Sequence, residues 1–144
     1  MSKKLRRNRN LSICLRLFSF LAIVFSAAVP LRILHFNDFH GHLLSENGGD
    51  TSANALRFYD AIKRYRDKNS ILLSAGDTYL GSVESMVLKG VPVGQFMNLL
   101  SLDAMAVGNH EFDLGMKRYT ELAKASNYPH LAANLNGLSF VKPY

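Results

Sequence analysis

Three short apolar segments of this chain each lead into an Asp or Asn residue, and longer amphipathic segments separate them. The segments and the polar residues that follow them are 31–36 with Asp38, 71–75 with Asp77, and 104–107 with Asn109. Apolar runs of this length are typical of buried strands. A fourth run, 131–133, ends at Asn134. The polar residues therefore lie where open α/β sheets place a ligand crevice, at the carboxyl ends of strands.

The segments between these strands have the apolar spacing of helices. Residues 51–68 carry apolar side chains every three or four positions, which predicts an amphipathic helix with one buried stripe. Further helices are predicted at 93–100 and from about 114 to 126. Strands that alternate with helices predict an α/β layered fold with a sheet buried on both faces. The length of 144 residues is enough for one domain with its own core.

The basic charge of the chain is concentrated at its N-terminus. The net charge is +6, but six of the 17 basic residues and none of the acidic residues fall within positions 1–28. The remaining positions carry 11 basic and 11 acidic side chains and are formally neutral. The charge therefore does not indicate nucleic acid as a partner.

Positions 1–28 have the order of a secretory signal peptide. A basic start precedes an apolar run from 17 to 29, which only Ser19 and Ser26 interrupt, and small residues lead up to Ala28. We predict cleavage after Ala28, export to a periplasm, a cell surface or the medium, and membrane contact only during export. The alternative is an uncleaved anchor, although the run is shorter than the roughly 20 residues that a span needs. The single cysteine, Cys14, lies in this leader, so oxygen and nitrogen atoms would have to hold any metal ion in residues 29–144.

The residues at the strand ends form a set of oxygen and imidazole donors. They are Asp38, His40, Asp77, Asn109, His110 and Asp113. Carboxylate, amide and imidazole groups together suit divalent Mn, Zn, Mg or Fe. Residues two apart in an extended segment point to the same side, so Asp38 and His40 would reach one ion. The two oxygens of Asp77 would let it bridge two ions, an arrangement that clamps a phosphoryl group and activates water.

His110 and Asp113 are three residues apart at a predicted helix start. At this spacing the carboxylate would orient the imidazole and keep it protonated. A cationic imidazole stabilises charge that builds on a phosphoryl oxygen or a leaving group. The pair is therefore a candidate catalytic unit.

Each of these residues also has a purely structural interpretation. Asp38 and Asp77 would then be turn or cap residues. Asn109 would cap the following helix, and Asp113 would favour its dipole. His35, His42 and His130 are interpreted as surface or packing residues. The order Asp-x-His, Gly-Asp and Gly-Asn-His-Glu, each at the end of an apolar strand, favours a joint site over a series of turns.

These motifs resemble the opening motifs of the calcineurin-like metallophosphoesterases. They are ILHFNDFHGH at 33–42, SAGDT at 74–78 and VGNHEFDLG at 107–115. The longer form, with Phe-Asp-x-Gly after Asn-His-Glu, resembles the secreted 5′-nucleotidase and UDP-sugar hydrolase branch. The resemblance implies a layered αββα-type catalytic domain, present here in its N-terminal part at 29–144 after the signal peptide at 1–28.

The resemblance also implies two divalent metal ions, with Zn, Mn, Mg, Fe or Co as candidates. Asp38 and His40 match residues that bind the first ion, Asp77 matches the bridging residue, and Asn109 matches a ligand of the second ion. Family members complete the second site with histidines from later in the domain, and only His130 follows Asp113 here. We therefore expect an N-terminal fragment whose second ion has too few protein ligands for full activity.

The matching catalytic pair is His110, which stabilises the transition state, and Asp113, which holds it. Asn109 and His110 are also expected to contact the substrate, as is Asn134. Glu111 matches the motif and is expected to have a supporting role rather than a catalytic one.

The predicted function is hydrolysis of nucleotide phosphoesters by attack of a metal-activated water, as in a 5′-nucleotidase, with a small-molecule nucleotide as substrate. The alternatives within the family are a 2′,3′-cyclic-nucleotide phosphodiesterase, a UDP-sugar diphosphatase and a thiosulfohydrolase. A different class of alternative is a non-catalytic secreted remnant that binds one ion or a partner.

Overall fold

The structure is a computed structural model that describes residues 29–44 and 53–135, with the backbone of residues 141 and 142. The chain divides into two units, 1–30 and 31–144. The predicted signal peptide at 1–28 lies outside the described residues and stays a prediction. Within the described ranges, no helix is both long and apolar enough to span a bilayer.

Five short strands in the described part of the chain form one parallel sheet. They are β1 (Arg32–Phe36), β2 (Ser70–Ser74), β3 (Ala104–Ala106), β4 (His130–Leu131) and β5 (Val141–Lys142). Their order in the sheet is the same as their order in the chain, and each neighbouring pair is parallel. The four predicted strands are thus confirmed as β1 to β4, each within one or two residues of its expected ends.

The helices connect successive strands. They are α1 (Ala53–Tyr65), α2 (Val83–Val87), α3 (Val91–Leu100) and α4 (Gly115–Lys124), with a 3₁₀ turn at His110–Phe112. The three predicted helices are confirmed as α1, α3 and α4. Helix α2 was not predicted because its five residues are too few to show a helical period. Its N-cap is Ser82, whose side chain accepts a hydrogen bond from the backbone N–H of Ser85.

The connections place all the helices on one face of the sheet. Crossovers between parallel strands are right-handed in nearly all proteins. Because the strand order never reverses across this sheet, successive crossovers lie on the same side. The face that the helices cover carries Leu34, Phe36, Leu72, Ser74, Met105 and His130. The apolar side chains of the core are Leu72, Tyr79, Leu80, Val93, Met97, Leu100, Leu102, Met105, Tyr119, Leu122, Ala123 and Tyr128.

The opposite face of the sheet differs from the expectation of burial on both faces. Its described side chains are Ile33, His35, Ile71, Leu73, Ala104, Ala106 and Leu131, and none of them is fully buried. Ile33 is 55% exposed although it is apolar and lies in a strand. The expectation is wrong for this part of the chain, because no described helix or second sheet crosses that face.

His130 is a packing residue, as predicted, and lies in a buried polar cluster beneath α4. Its Nδ1 lies 2.7 Å from the hydroxyl of Tyr119, and its Nε2 lies 3.1 Å from that of Ser126 and 3.3 Å from that of Tyr79. The rings of Tyr128 and Tyr79 stack nearly parallel to the imidazole, with centroids 5.4 and 6.0 Å away. Burial lowers the pKa of His130 to about 4.

This lowered pKa predicts a loss of stability in acid. The unfolded chain takes up a proton on His130 near pH 6.5, whereas the folded chain resists it down to about pH 4. Its contribution to the free energy of unfolding is therefore fully present above pH 6.5 and falls by about 3 kcal/mol as the pH drops to 4. Urea unfolding at pH 7.0, 5.5 and 4.0, with chelator present, measures this change.

The matched control is His130→Gln, which cannot take up the proton. The variant is less stable at pH 7, because it loses the stacked ring, but the fall between pH 6.5 and 4 becomes shallower. Parallel pH profiles of the wild-type chain and the His130→Gln variant would contradict the assignment of this stability loss to His130. His35→Gln, which changes an exposed histidine, leaves the profile as it is in the wild type.

Candidate metal centre

The loop after β1 turns Asp38 and His40 toward one another and anchors the residue between them in the core. The ring of Phe39 packs against Phe58 of α1 and Phe96 of α3, with centroids 5.6 and 6.1 Å away. The Nε2 atom of His40 lies 3.4 Å from Oδ1 of Asp38. The two side chains therefore converge, as the sequence predicted.

The reason for this convergence differs from the one expected from the sequence. An extended backbone was expected to place Asp38 and His40 on one side, but both residues have left-handed backbones, with φ of 51° and 49°. Asp77, after β2, is also left-handed, with φ of 52°. Side-chain-bearing residues adopt this region rarely and at a cost, mostly as Asn, Asp or His. Such strain is concentrated at functional sites in proteins.

Two other described residues with a side chain share this backbone conformation, and both have a structural reason for it. Lys89 follows α2, and Ser101 follows α3 as its C-cap. Left-handed residues at these positions are usual ends of helices. Among the described residues that carry a side chain, the left-handed ones that end no helix are thus Asp38, His40 and Asp77, all of them predicted metal ligands.

The imidazole of His40 is held in the tautomer that a metal ligand needs. Its Nδ1 lies 3.1 Å from the backbone carbonyl oxygen of Leu80. A carbonyl oxygen only accepts hydrogen bonds, so Nδ1 carries a proton and Nε2 is the ring nitrogen that would bind an ion. Metal-binding histidines are commonly oriented in this way by a carbonyl or carboxylate behind them. Gly81 makes room for the ring, since a Cβ there would lie 2.6 Å from that of His40.

Backbone hydrogen bonds join the loops that follow β1 and β2. The N–H of Asp38 donates to the carbonyl of Gly76 at 3.2 Å, and the N–H of His40 donates to that of Asp77 at 2.9 Å. The carboxylate of Asp77 then reaches the third loop, where its Oδ1 accepts from the N–H of His110 at 3.0 Å. The three strand-end loops thus form one connected unit.

Three donor atoms from these loops lie close enough to share one ion. One ligand atom from each of His40, Asp77 and His110 lies within 4.8 Å of the other two. Asp38 adjoins this group through His40. A carboxylate pair with imidazole nitrogens is a donor set that suits Zn, Mn or Fe. The residues therefore fit the divalent ions that the sequence resemblance implies.

His110 and Asp113 form the predicted pair. Nδ1 of His110 lies 2.8 Å from Oδ2 of Asp113, within and just after the 3₁₀ turn. This hydrogen bond raises the pKa of His110 above its ordinary value, and the carboxylates of Asp77 and Glu111 act in the same direction. The ring of His110 meets that of His40 edge to face, with centroids 4.8 Å apart.

The two predicted asparagines lie differently. Asn109 begins the 3₁₀ turn, but its side chain makes no capping hydrogen bond there. The helix-cap interpretation therefore does not account for this residue, and its exposed amide adjoins the candidate centre in sequence. Asn134 is exposed beyond β4, and none of the described contacts joins it to the other predicted site residues. Its role stays a prediction.

Glu111 is tied to the site more closely than the sequence indicated. Its side chain is 1% exposed. Oε1 accepts from the backbone N–H groups of Thr78 at 2.7 Å and Tyr79 at 3.4 Å, and Oε2 accepts from those of Gly108 at 2.7 Å and Asp77 at 3.0 Å. Only a supporting role was expected for it, because backbone donors leave no trace in a residue pattern.

Comparison with known proteins identifies the family to which this geometry belongs. Residues 31–142 match the family model described as calcineurin-like phosphoesterase. The chain is 41% identical over 122 residues to the 5′-nucleotidase of Homo sapiens, and the match covers 76% of this chain and 21% of that protein. It is 39% identical over 115 residues to the snake venom 5′-nucleotidase of Naja atra, covering 73% and 22%.

A solved structure agrees with these sequence matches. The 5′-nucleotidase precursor from Thermus thermophilus superimposes with a TM-score of 0.59 at 32% identity, over 72% of this chain and 22% of that one. The chain therefore belongs to the calcineurin-like phosphoesterase family, and the three relatives described above are 5′-nucleotidases. It spans about a fifth of the length of those relatives.

Close contact between two of the loops predicts that a side chain at Gly76 lowers the free energy of unfolding. A Cβ on Gly76 would lie 2.8 and 2.9 Å from backbone atoms of Gly108, and its φ is +105°. The left-handed Gly115, at φ +82°, has open space around it and is a matched control. Gly115→Ala should cost about 1–2 kcal/mol from backbone strain alone. Gly76→Ala should cost about 1–3 kcal/mol more from overpacking. Equal losses in urea unfolding would contradict the predicted contact.

The contact with Asp113 predicts how His110 titrates in the metal-free chain. NMR titration should give a pKa for the His110 imidazole above 6.5, so that the ring is cationic below that value. Asp113→Asn should lower this pKa, because the charged acceptor is lost. Asp60→Asn, an exposed carboxylate on α1, is the control. An Asp113→Asn variant that titrates like the control would contradict the role given to this hydrogen bond.

Proposed function

We propose that this chain supplies the first part of a metal-dependent phosphoesterase centre that hydrolyses nucleotide phosphoesters, as in a 5′-nucleotidase. The observation that carries the proposal is the convergence of three left-handed residues, Asp38, His40 and Asp77, in the loops after two adjacent strands. Backbone strain at neighbouring residues is typical of functional sites, where the side chains of these residues act together. The similarity to 5′-nucleotidases supports a nucleotide as the substrate.

In this proposal the three loops divide the work between two divalent ions. Asp38, His40 and Asp77 would hold the first ion, and Asp77 and Asn109 would hold the second. When bound, such a pair of ions neutralises phosphoryl charge and makes water a nucleophile at neutral pH. These three loops offer the second ion fewer ligands than the first, so we expect one tightly bound ion per chain.

His110 acts on the substrate in this scheme. Because Nδ1 bonds Asp113, the other ring nitrogen is available to donate to a phosphoryl oxygen or to the leaving oxygen. The raised pKa of His110 favours the cationic ring, which carries this proton. Asp113 orients the ring and stabilises its charge. Asn109 and Asn134 are proposed to contact the substrate.

We further propose that residues 1–28 direct export of the chain. The composition of this segment supports the proposal, as does the similarity to the snake venom 5′-nucleotidase of Naja atra. Mass spectrometry of the exported chain should find Ala28 removed and Val29 at the N-terminus. A chain that keeps residues 1–28 after export would favour the membrane anchor instead.

Hydrolysis assays test the proposed function directly. The complete chain is given Mn²⁺ and then AMP, an aryl phosphate, 2′,3′-cyclic AMP or a UDP-sugar, with release of phosphate or nucleotide as the readout. Release from AMP that Asp77→Ala abolishes supports the proposal, and a preference for another substrate selects one of the family alternatives. Ion binding without release from any substrate supports a non-catalytic remnant.

Ion stoichiometry provides a second test. Elemental analysis after dialysis should find close to one Mn²⁺ per wild-type chain and far less in Asp38→Ala and Asp77→Ala. Asp60→Ala removes an exposed carboxylate from α1 and should bind as the wild type does. Absence of bound ion in the wild type would overturn the proposed metal centre.

A further inference from the structure

Glu111 is the one fully buried acidic side chain in the part of the chain that the structure describes. No described ion pair compensates its charge. Its four hydrogen-bond donors are backbone N–H groups, so oriented peptide dipoles take the place of a cation. Charge-assisted bonds of this kind are stronger than neutral ones, and a buried carboxylate that lost them would be destabilised.

The donors come from the two loops that carry the bridging carboxylate and the catalytic pair. Asp77, Thr78 and Tyr79 are consecutive residues after β2, and Gly108 follows β3. Consecutive N–H groups converge on one anion only where the backbone curls, and such concavities bind anions in many proteins. Here the anion is a side chain of the chain itself, and the curl includes the left-handed Asp77.

We call these four bonds the Glu111 clamp; they include the backbone of Asp77, whose carboxylate bonds the third loop in turn. Oε2 of Glu111 holds the N–H of Asp77, while Oδ1 of Asp77 accepts from the N–H of His110, the residue before Glu111. The two loops are thus joined by reciprocal carboxylate-to-backbone bonds. The two loops pack closely at Gly108, since a Cβ there would lie 2.2 Å from Oδ1 of Asp77 and 2.8 Å from Oε2 of Glu111.

We propose that Glu111 is a positioning residue of the candidate metal centre, whose buried carboxylate fixes the left-handed backbone of Asp77 and the spacing between the second and third loops. The inference rests on the proposed function, because it assigns the clamp an effect on ion affinity. All the described bonds of Glu111 go to the backbone, so it acts through Asp77 rather than as a ligand.

Glu111→Gln tests this inference with little change in shape. The amide offers one acceptor atom in place of two and turns an NH₂ group toward two backbone donors. Binding of Mn²⁺ to the complete chain is measured by electron paramagnetic resonance at a temperature where both proteins are folded. We expect affinity to fall roughly 10- to 100-fold, as for other residues that orient ligands from behind.

Glu121→Gln is the matched control. Glu121 lies on α4, where it is exposed and pairs with Arg118 at 2.6 Å. This variant should bind Mn²⁺ within about twofold of the wild type, since screened surface pairs contribute little. A Glu111→Gln chain that melts at a lower temperature but binds Mn²⁺ like the control would overturn the inference and leave Glu111 with a purely structural role.

A second measurement needs no variant and serves if Glu111→Gln does not fold. Amide hydrogen exchange of the wild-type chain is followed by NMR with and without Zn²⁺. If the Glu111 bonds raise the affinity for the ion, then the bound ion must stabilise those bonds by the same free energy. The N–H groups of Thr78 and Gly108 should therefore exchange several-fold more slowly with the ion present. Exchange at these amides that Zn²⁺ leaves unchanged would overturn the coupling.

The outcomes separate this inference from the proposed function. If the wild-type chain binds neither ion, the proposed metal centre fails and the inference fails with it. If the wild type binds the ions while Glu111→Gln binds equally well, the metal centre stands and the inference alone is lost.

Discussion

The hydrogen bonding between β1 and β2 continues past the ends of both strands, and the candidate site depends on this continuation. The register pairs Phe36 with Ser74, the last residues of the two strands. Two further backbone bonds then join Asp38 to Gly76 and His40 to Asp77. In a parallel pair, both chains leave the sheet at the same edge. The loops therefore stay in contact beyond the sheet, and their polar side chains converge without a long connection.

Continuing this contact requires backbone conformations that the side chains resist. Asp38, His40 and Asp77 are left-handed, and Gly76 occupies a region closed to other residues at a point where no side chain would fit. The packing of Phe39 against α1 and α3, and the bonds to Glu111, offset this cost from the core side. The site is thus held by interactions on the face away from the ligand, which is how preorganised centres keep their geometry before binding.

The sequence predicted the parts of this arrangement that depend on side-chain pattern. Alternating apolar segments located β1 to β4 and three helices, and the polar residues at strand ends identified Asp38, His40 and Asp77 as neighbours. It did not predict how they meet, because left-handed φ angles follow from contacts between loops. The donors to Glu111 and the carbonyl that orients His40 are backbone groups, which every residue has. No residue pattern could therefore point to them.

The order of the strands accounts for both the strength and the limit of the site. Because each strand lies beside the one before it, three successive loops meet at one edge and all the helices share one face. The same order leaves apolar residues such as Ile33 exposed on the opposite face of the described sheet. The candidate centre is correspondingly one-sided, because its described donors all come from the loops after three adjacent strands. A second ion coordinated on all sides would need donors from a part of the fold beyond these three loops.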